Sequence, residues 1–171
     1  ELFPDFFDFS GPAPVIKQYK NFEEIISDLP EKISEVVQAD QCPLSEIAVL
    51  YTIKSPDADL KSPLPILIEK SLESKGILSN WVSENYRAKK VYDITTDRVT
   101  ISTIHSVKGL DYSCVFLIGL DCFDHKRWNE EQVEKLAYVA ITRARYQLFI
   151  PYIHSNGLIA KLKSSLIEFS K

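Results

Sequence analysis

TISTIHSVKGLDYSCVFLIGL, residues Thr100–Leu120, holds the reading that decides the fold. Two strand-like runs, Val99–Ile104 and Cys114–Leu120, stand close together; the second is apolar throughout, while the first sets Thr100, Ser102 and Thr103 among its apolar residues. Strands that read as continuous apolar runs are buried on both faces, as in a parallel sheet. Between them His105, Ser106, Lys108 and Asp111 crowd around Gly109. Parallel sheets place their ligands beyond the carboxyl ends of the strands, so this crowding marks a candidate site. A solvated connection that turns at Gly109 would leave the same trace, and the residues alone keep both readings open.

Outward from this stretch, strands and helices alternate. Val15–Tyr19 reads as a strand. Asn21 opens a helix, with Glu24 placed three residues on to complete an N-cap pair. Its apolar stripe is Ile25, Ile26, Leu29, Ile33, Val36 and Val37, which fits the helical period, and Pro30 is expected to kink or split it. Ile47–Thr52 is a further apolar strand. Ser62-Pro63 starts a second helix that Gly76 ends. Ile77–Val82 reads as a strand, Asn129–Ala144 as a helix, Tyr146–Tyr152 as a strand and Gly157–Phe169 as a closing helix. This order predicts an α/β fold, a parallel sheet with helices on both faces. The loops after Ile104, Leu120 and Tyr152 then become the places to look for a ligand.

The chain has 171 residues, 45% apolar and 26% charged, which suits one ordinary globular domain. Residues 1–12 read as a lead-in segment, with Phe3, Phe6, Phe7 and Phe9 set among acids, and 13–171 as the domain. No apolar run is long enough to span a membrane, and no signal pattern opens the chain. The chain begins at Glu1 and contains no Met, so it is expected to be a piece of something longer. A net charge of −4 argues against a domain that holds nucleic acid unaided, though not against one side of a shared groove. Cys42, Cys114 and Cys122 share no disulfide-like spacing and are expected to be reduced, cytosolic thiols. Cys122 and His125 form a lone C-x-x-H, too few ligands for structural zinc, so no metal site is expected.

A second stretch, KLAYVAITRARYQLFI at Lys135–Ile150, carries a cation on a buried stripe. At helical spacing Leu136, Val139, Ala140 and Arg143 share one face. A guanidinium there needs an anion, because a desolvated unpaired charge is costly. The anion is either an internal Asp or Glu or a bound ligand. Arg145 lies off the stripe and reads as a solvated helix-end cation favoured by the helix dipole.

Together the two stretches resemble a known family. TIHSVKGLDY is similar to the fifth motif of superfamily 1 helicases of the UvrD/Rep type, and YVAITRAR resembles their sixth. GPAPVIKQY, the acidic helix and SEIAVLYT fit the second RecA-like lobe of that family with less specificity, so the resemblance runs from about Gly11 to Tyr152. It implies a RecA-like lobe, related to P-loop NTPases but without the P-loop. In such motors ATP sits between two lobes and single-stranded DNA crosses the top. Arg143 would match the arginine finger of the sixth motif, whose planar fork suits phosphate. Lys108, Gly109 and Asp111 would match the nucleotide-facing part of the fifth motif, with the acid near the ribose. The family usually has Glu at position 111, and the shorter Asp makes that contact less secure. Thr103, His105 and Ser106 would match positions that touch DNA or relay between DNA and ATP, and Tyr138 and Thr142 would support the sixth motif.

No G-x-x-x-x-G-K-[ST] and no D-E-x-x segment after a strand occur in the chain. The loop that cradles the phosphates, and the groups that hold Mg²⁺, are therefore expected on another lobe. Asn85-Tyr86-Arg87 copies the fourth motif of the family in the wrong place and reads as coincidence. The large DNA-gripping insertion of such lobes does not fit between Leu60 and Arg98. The expectation is a C-terminal motor lobe of a cytoplasmic, ATP-dependent DNA helicase, moving 3′→5′. Its partners would be an N-terminal RecA-like lobe and single-stranded or partly duplex DNA. Alone, it should neither turn over ATP nor hold DNA tightly. The alternative is a non-catalytic, helicase-derived adaptor in a repair or nuclease complex. If Arg143 is folded inward against a carboxylate of its own domain, or lies far from the loop bearing Lys108, the motor reading fails.

Overall fold

The computed structural model describes residues 11–40, 42–82, 97–107, 109–123 and 126–169. Six strands form one sheet in which every pairing is parallel. They are β1 (Val15–Gln18), β2 (Ile47–Tyr51), β3 (Ser79–Val82), β4 (Val99–Thr103), β5 (Tyr112–Ile118) and β6 (Ala144–Tyr152). Their order across the sheet is β1-β6-β5-β2-β4-β3. All five residues of β2, in the middle of the sheet, are buried, which is why it carries no polar alternation.

Among the described residues four helices cover the sheet: α1 (Phe22–Asp40), α2 (Leu64–Ser74), α3 (Glu130–Ile141) and α4 (Gly157–Phe169). One face buries Ile25, Leu29 and Ile33 of α1 and Leu64, Ile68 and Leu72 of α2 against Val49, Ile101 and Phe116. The other face buries Leu136, Ala137 and Ala140 of α3 and Ile159 and Leu162 of α4 against Ala48, Leu50, Val115 and Leu148. Ile104 and Val107, from the β4–β5 connection, join this second core. The expected parallel sheet with helices on both faces is therefore present.

Two details differ from expectation. Pro30 lies inside α1, yet the helix is not split. Proline cannot donate to the carbonyl four residues back, so the Ile26 carbonyl lacks its helical partner. The Ser71 hydroxyl of α2 donates to that oxygen at 2.8 Å, which removes the penalty of an unmet buried acceptor. The helix expected over Asn129–Ala144 ends at Ile141, and its Thr142 cap leads directly into β6 at Ala144. The start of α3 is set by a capping box: Asn129 accepts from the Gln132 amide, and the Gln132 side chain accepts from the Asn129 amide.

The described part of the stretch between Leu60 and Arg98 supplies α2 and β3 of the sheet itself. Asn85-Tyr86-Arg87, the lead-in phenylalanines, His125 and Lys108 lie outside the described residues.

Candidate functional site

The candidate residues fall at two opposite edges of the sheet. Thr103 ends β4 and pairs in register with Tyr51, which in turn pairs with Ile118 at the end of β5. Tyr112 begins β5 beside Ala144, the first residue of β6. The six steps along the strand from Tyr112 to Ile118 put about 20 Å between the two levels. Thr103, His105 and Ser106 therefore stand at the carboxyl edge. Gly109, Asp111, Thr142 and Arg143 stand at the amino edge. Ligands were expected beyond the carboxyl ends of the strands; Thr103, His105 and Ser106 stand there, and Gly109, Asp111, Thr142 and Arg143 do not.

At the carboxyl edge the chain turns sharply. The Thr103 hydroxyl lies 3.0 Å from the Ser106 hydroxyl and accepts from the Ser106 amide at 3.3 Å, closing a local turn. A single 3₁₀ turn, His105–Val107, follows. His105 is exposed, and its ring stacks on Trp128 with centroids 6.3 Å apart and planes 22° apart. Trp128 also meets the buried Phe123 edge-on, at 6.0 Å and 62°. Neighbouring loops are tied to the same edge. Asp121 accepts from the Ile153 and His154 amides at 2.7 and 3.0 Å, and the Thr52 hydroxyl donates to the Gly119 carbonyl at 2.7 Å.

At the amino edge Gly109 has φ +88, a conformation natural to glycine, and the Leu110 amide closes back on the Val107 carbonyl at 2.9 Å. This turn delivers Asp111 to Arg143. The Arg143 guanidinium lies 3.2 Å from the Asp111 carboxylate. It also donates to the Val139 carbonyl at 3.2 Å, to the Leu110 carbonyl at 3.4 Å and to the Thr142 hydroxyl at 3.5 Å. Its side chain is 20% exposed and that of Asp111 51%.

One alternative left open by the sequence closes here, and one reading is corrected. Of the anions open to Arg143, the one present in this chain is Asp111, a carboxylate of its own domain. Arg143 itself sits in the turn after α3, beyond the buried helical stripe. Arg145 is no helix-end cation. It is a residue of β6, and its guanidinium meets Glu46 at 3.1 Å. The short turn from Thr142 to Ala144, invisible to helical periodicity, produces both placements.

Tyr138 is 40% exposed on α3, and Leu110 is 36% exposed beside Asp111. The Thr142 hydroxyl, besides accepting from Arg143, donates to the Val139 carbonyl at 3.0 Å. Trp128 and Glu46 were missed as site neighbours. Trp128 had one signal, an aromatic directly after Lys126-Arg127. Glu46 had none, because it meets Arg145 from 99 residues away.

The thiols take no part. Cys114 is buried in β5. Burial first, and the Asp121 carboxylate second, push the Cys122 thiol up to about 12, so it stays protonated and a poor nucleophile. Among the described residues no group of three or more His, Cys, Asp or Glu side chains is placed to hold a metal ion. No helix among them is long and apolar enough to cross a membrane.

A six-stranded parallel sheet with helices on both faces, and polar clusters at both edges, defines an α/β protein of the RecA-like class. The UvrD-like helicase C-terminal domain model matches residues 68–155, half of the chain, and the chain belongs to that family. The ATP-dependent DNA helicase Rep of Buchnera aphidicola (subsp. Schizaphis graminum) is 29% identical over 123 residues, covering 54% of this chain and 19% of Rep. The ATP-dependent DNA helicase PcrA of Bacillus subtilis is 43% identical over 61 residues, 32% of this chain and 8% of PcrA. DNA helicase II of Haemophilus influenzae is 41% identical over 70 residues, 37% of this chain and 10% of that helicase. The chain thus matches less than a fifth of the length of these relatives. A solved structure, the C-terminal domain of a possible DNA helicase from Lactobacillus plantarum, aligns with a TM-score of 0.64 at 15% identity. It covers 92% of this chain and 84% of that one, and it supports the fold.

Proposed function

We propose that this domain is the second motor lobe of a cytoplasmic, ATP-dependent DNA helicase or translocase that moves 3′→5′. In this reading ATP is the substrate, held with Mg²⁺ mainly by an N-terminal RecA-like lobe, since this chain has no G-x-x-x-x-G-K-[ST]. Arg143 supplies the finger, Lys108, Gly109 and Asp111 line the nucleotide side, and Thr103, His105 and Ser106 face the DNA. The observation that carries the reading is that Arg143 meets a half-exposed carboxylate, Asp111, on the loop that bears Lys108, and so is neither turned into the core nor far from that loop.

An ion pair open to water contributes on the order of 1 kcal/mol or less. A nucleotide phosphate offers more negative charge and a matching geometry for a guanidinium. Arg143 can therefore exchange Asp111 for a phosphate on a facing lobe at small cost, and Asp111, half in water, is solvated when released. The three oxygens around the guanidinium, those of Val139, Leu110 and Thr142, hold it aimed in the meantime. Leu110 and Tyr138, exposed nearby, supply apolar surface for the facing lobe to cover.

The same pair favours a second reading, in which Arg143 is only an internal cation and the domain is a non-catalytic adaptor. Arg143→Ala in the full-length protein separates the two. The motor reading expects DNA-stimulated ATP turnover to fall by ~10³-fold, with DNA affinity largely kept. Unchanged turnover rules out the finger, and a full-length protein with no turnover at all supports the adaptor.

A further inference from the structure

We infer that Trp128 is a positioning residue that couples DNA contact at His105 to the setting of Arg143; this rests on the motor reading above. Two chain segments cross the same face of the sheet from the carboxyl edge to the amino edge. One is the β4–β5 connection, which leaves Thr103 and arrives at Asp111. The other is α3, which begins after Trp128 and Asn129 and ends at the turn bearing Arg143. Its 12 residues span about 18 Å, close to the height of the sheet between those edges.

The two segments are joined at both ends. At the amino edge the joints are the Arg143–Asp111 pair, the Arg143 contact to the Leu110 carbonyl and the Tyr112 amide donating to the Arg143 carbonyl at 2.8 Å. At the carboxyl edge the joint is the stack of His105 on Trp128. Trp128 can transmit a push because it is backed by Phe123 and because the Asn129–Gln132 box fixes the helix start beside it. The helix itself is held along its length by Val133, Leu136, Ala137, Ala140 and Ile141, all buried. Packed side chains move as units rather than deforming gradually. A shift of the exposed His105 against DNA therefore reaches Arg143 along α3 as well as through the connection. Without the Trp128 ring, only the connection remains.

The test uses the full-length protein and an oligothymidylate. Trp128→Leu keeps apolar bulk against Phe123 but removes the flat face, and Trp128→Phe keeps a face. The readout is the ratio of ATP turnover at saturating DNA to turnover without DNA. The expected result is about a tenfold fall in that ratio for W128L, a typical size for coupling between sites. W128F restores most of it, and the DNA concentration for half-maximal stimulation stays near the wild-type value in both. A ratio that W128L leaves intact overturns the inference. So does a shift in half-maximal DNA concentration with the ratio retained, since Trp128 would then be a DNA contact. Failure of W128F to restore the ratio also overturns it, since the ring pair would not be the joint. If wild-type turnover is indifferent to DNA, the motor reading itself fails, a result distinct from each of these.

Discussion

The two edges of the sheet are built in opposite ways. At the carboxyl edge the polar groups are largely spent on the fold: Thr103 closes the turn at Ser106, Thr52 holds Gly119, and Asp121 caps the loop after β6. At the amino edge the charges pair with each other near water, Arg143 with Asp111 and Arg145 with Glu46. Backbone-linked turns of the first kind are stiff. Solvent-exposed ion pairs of the second kind are worth little and exchange readily. On the proposed reading a motor lobe needs both, a firm platform for DNA and a cation that can change partners, and the height of the sheet would keep the two apart.

The largest expected effect tests whether the amino edge acts on phosphate. Arg143→Lys in the full-length protein keeps the charge but loses the planar fork, and ATP turnover is expected to drop on the order of 10²-fold or more. Turnover close to wild type would mean that charge alone suffices there, and the contrast with a geometrically defined edge would break.

The next prediction sharpens the stiffness of the carboxyl edge. Gly119 has φ +93, and an added Cβ would meet the Thr52 hydroxyl oxygen at 2.4 Å. Gly119→Ala is therefore expected to lower the stability of this domain by about 2 kcal/mol or more, read from urea unfolding. A loss below about 0.5 kcal/mol would show that this edge yields as easily as the other.

A smaller effect is expected at the helix that links them. Asn129→Ala removes the capping box and should cost about 1 kcal/mol. The change should also show in Trp128 fluorescence with Trp81 replaced, because the cap adjoins that ring. A cost without any change at Trp128 would separate the cap from the joint.

The smallest effect belongs to the loose pair. Asp111→Asn is expected to change the stability of the domain by less than about 1 kcal/mol. A loss of several kcal/mol would mark the pair as structural and make exchange of Arg143 onto phosphate costly.

How far the sequence could be read depended on whether a contact is local. The apolar runs at Ile47 and Cys114 gave strands near their true positions because burial on both faces leaves a trace in the strand itself, while the strand at Val99 is as buried yet carries Thr100 and Ser102. The Asn21–Glu24 pair marked the start of α1, where the Asn21 oxygen accepts from the Glu24 amide at 2.9 Å. Pro30 misled because its compensation comes from Ser71 in another helix, 45 residues beyond the Ile26 carbonyl that it serves. The fifth and sixth motifs were legible as strings, but no string states that the first ends at the same edge as the second begins to act. Arg145 was misplaced for a similar reason: a two-residue turn changed its element, and its partner Glu46 is distant in the chain.

The order of strands and helices, the parallel sheet and the membership of Thr103, His105, Asp111 and Arg143 in two recognisable motifs were determined by the sequence alone. The order of elements and the sheet follow from burial patterns and spacings that reside in consecutive residues, and the two motifs from a resemblance carried by the string itself. The tertiary structure alone decided that the candidate residues divide between two edges about 20 Å apart, that Arg143 rests on Asp111 and that His105 rests on Trp128. Those facts depend on the register of neighbouring strands and on where a helix stops, and side chains far apart in sequence meet only once the whole sheet has closed.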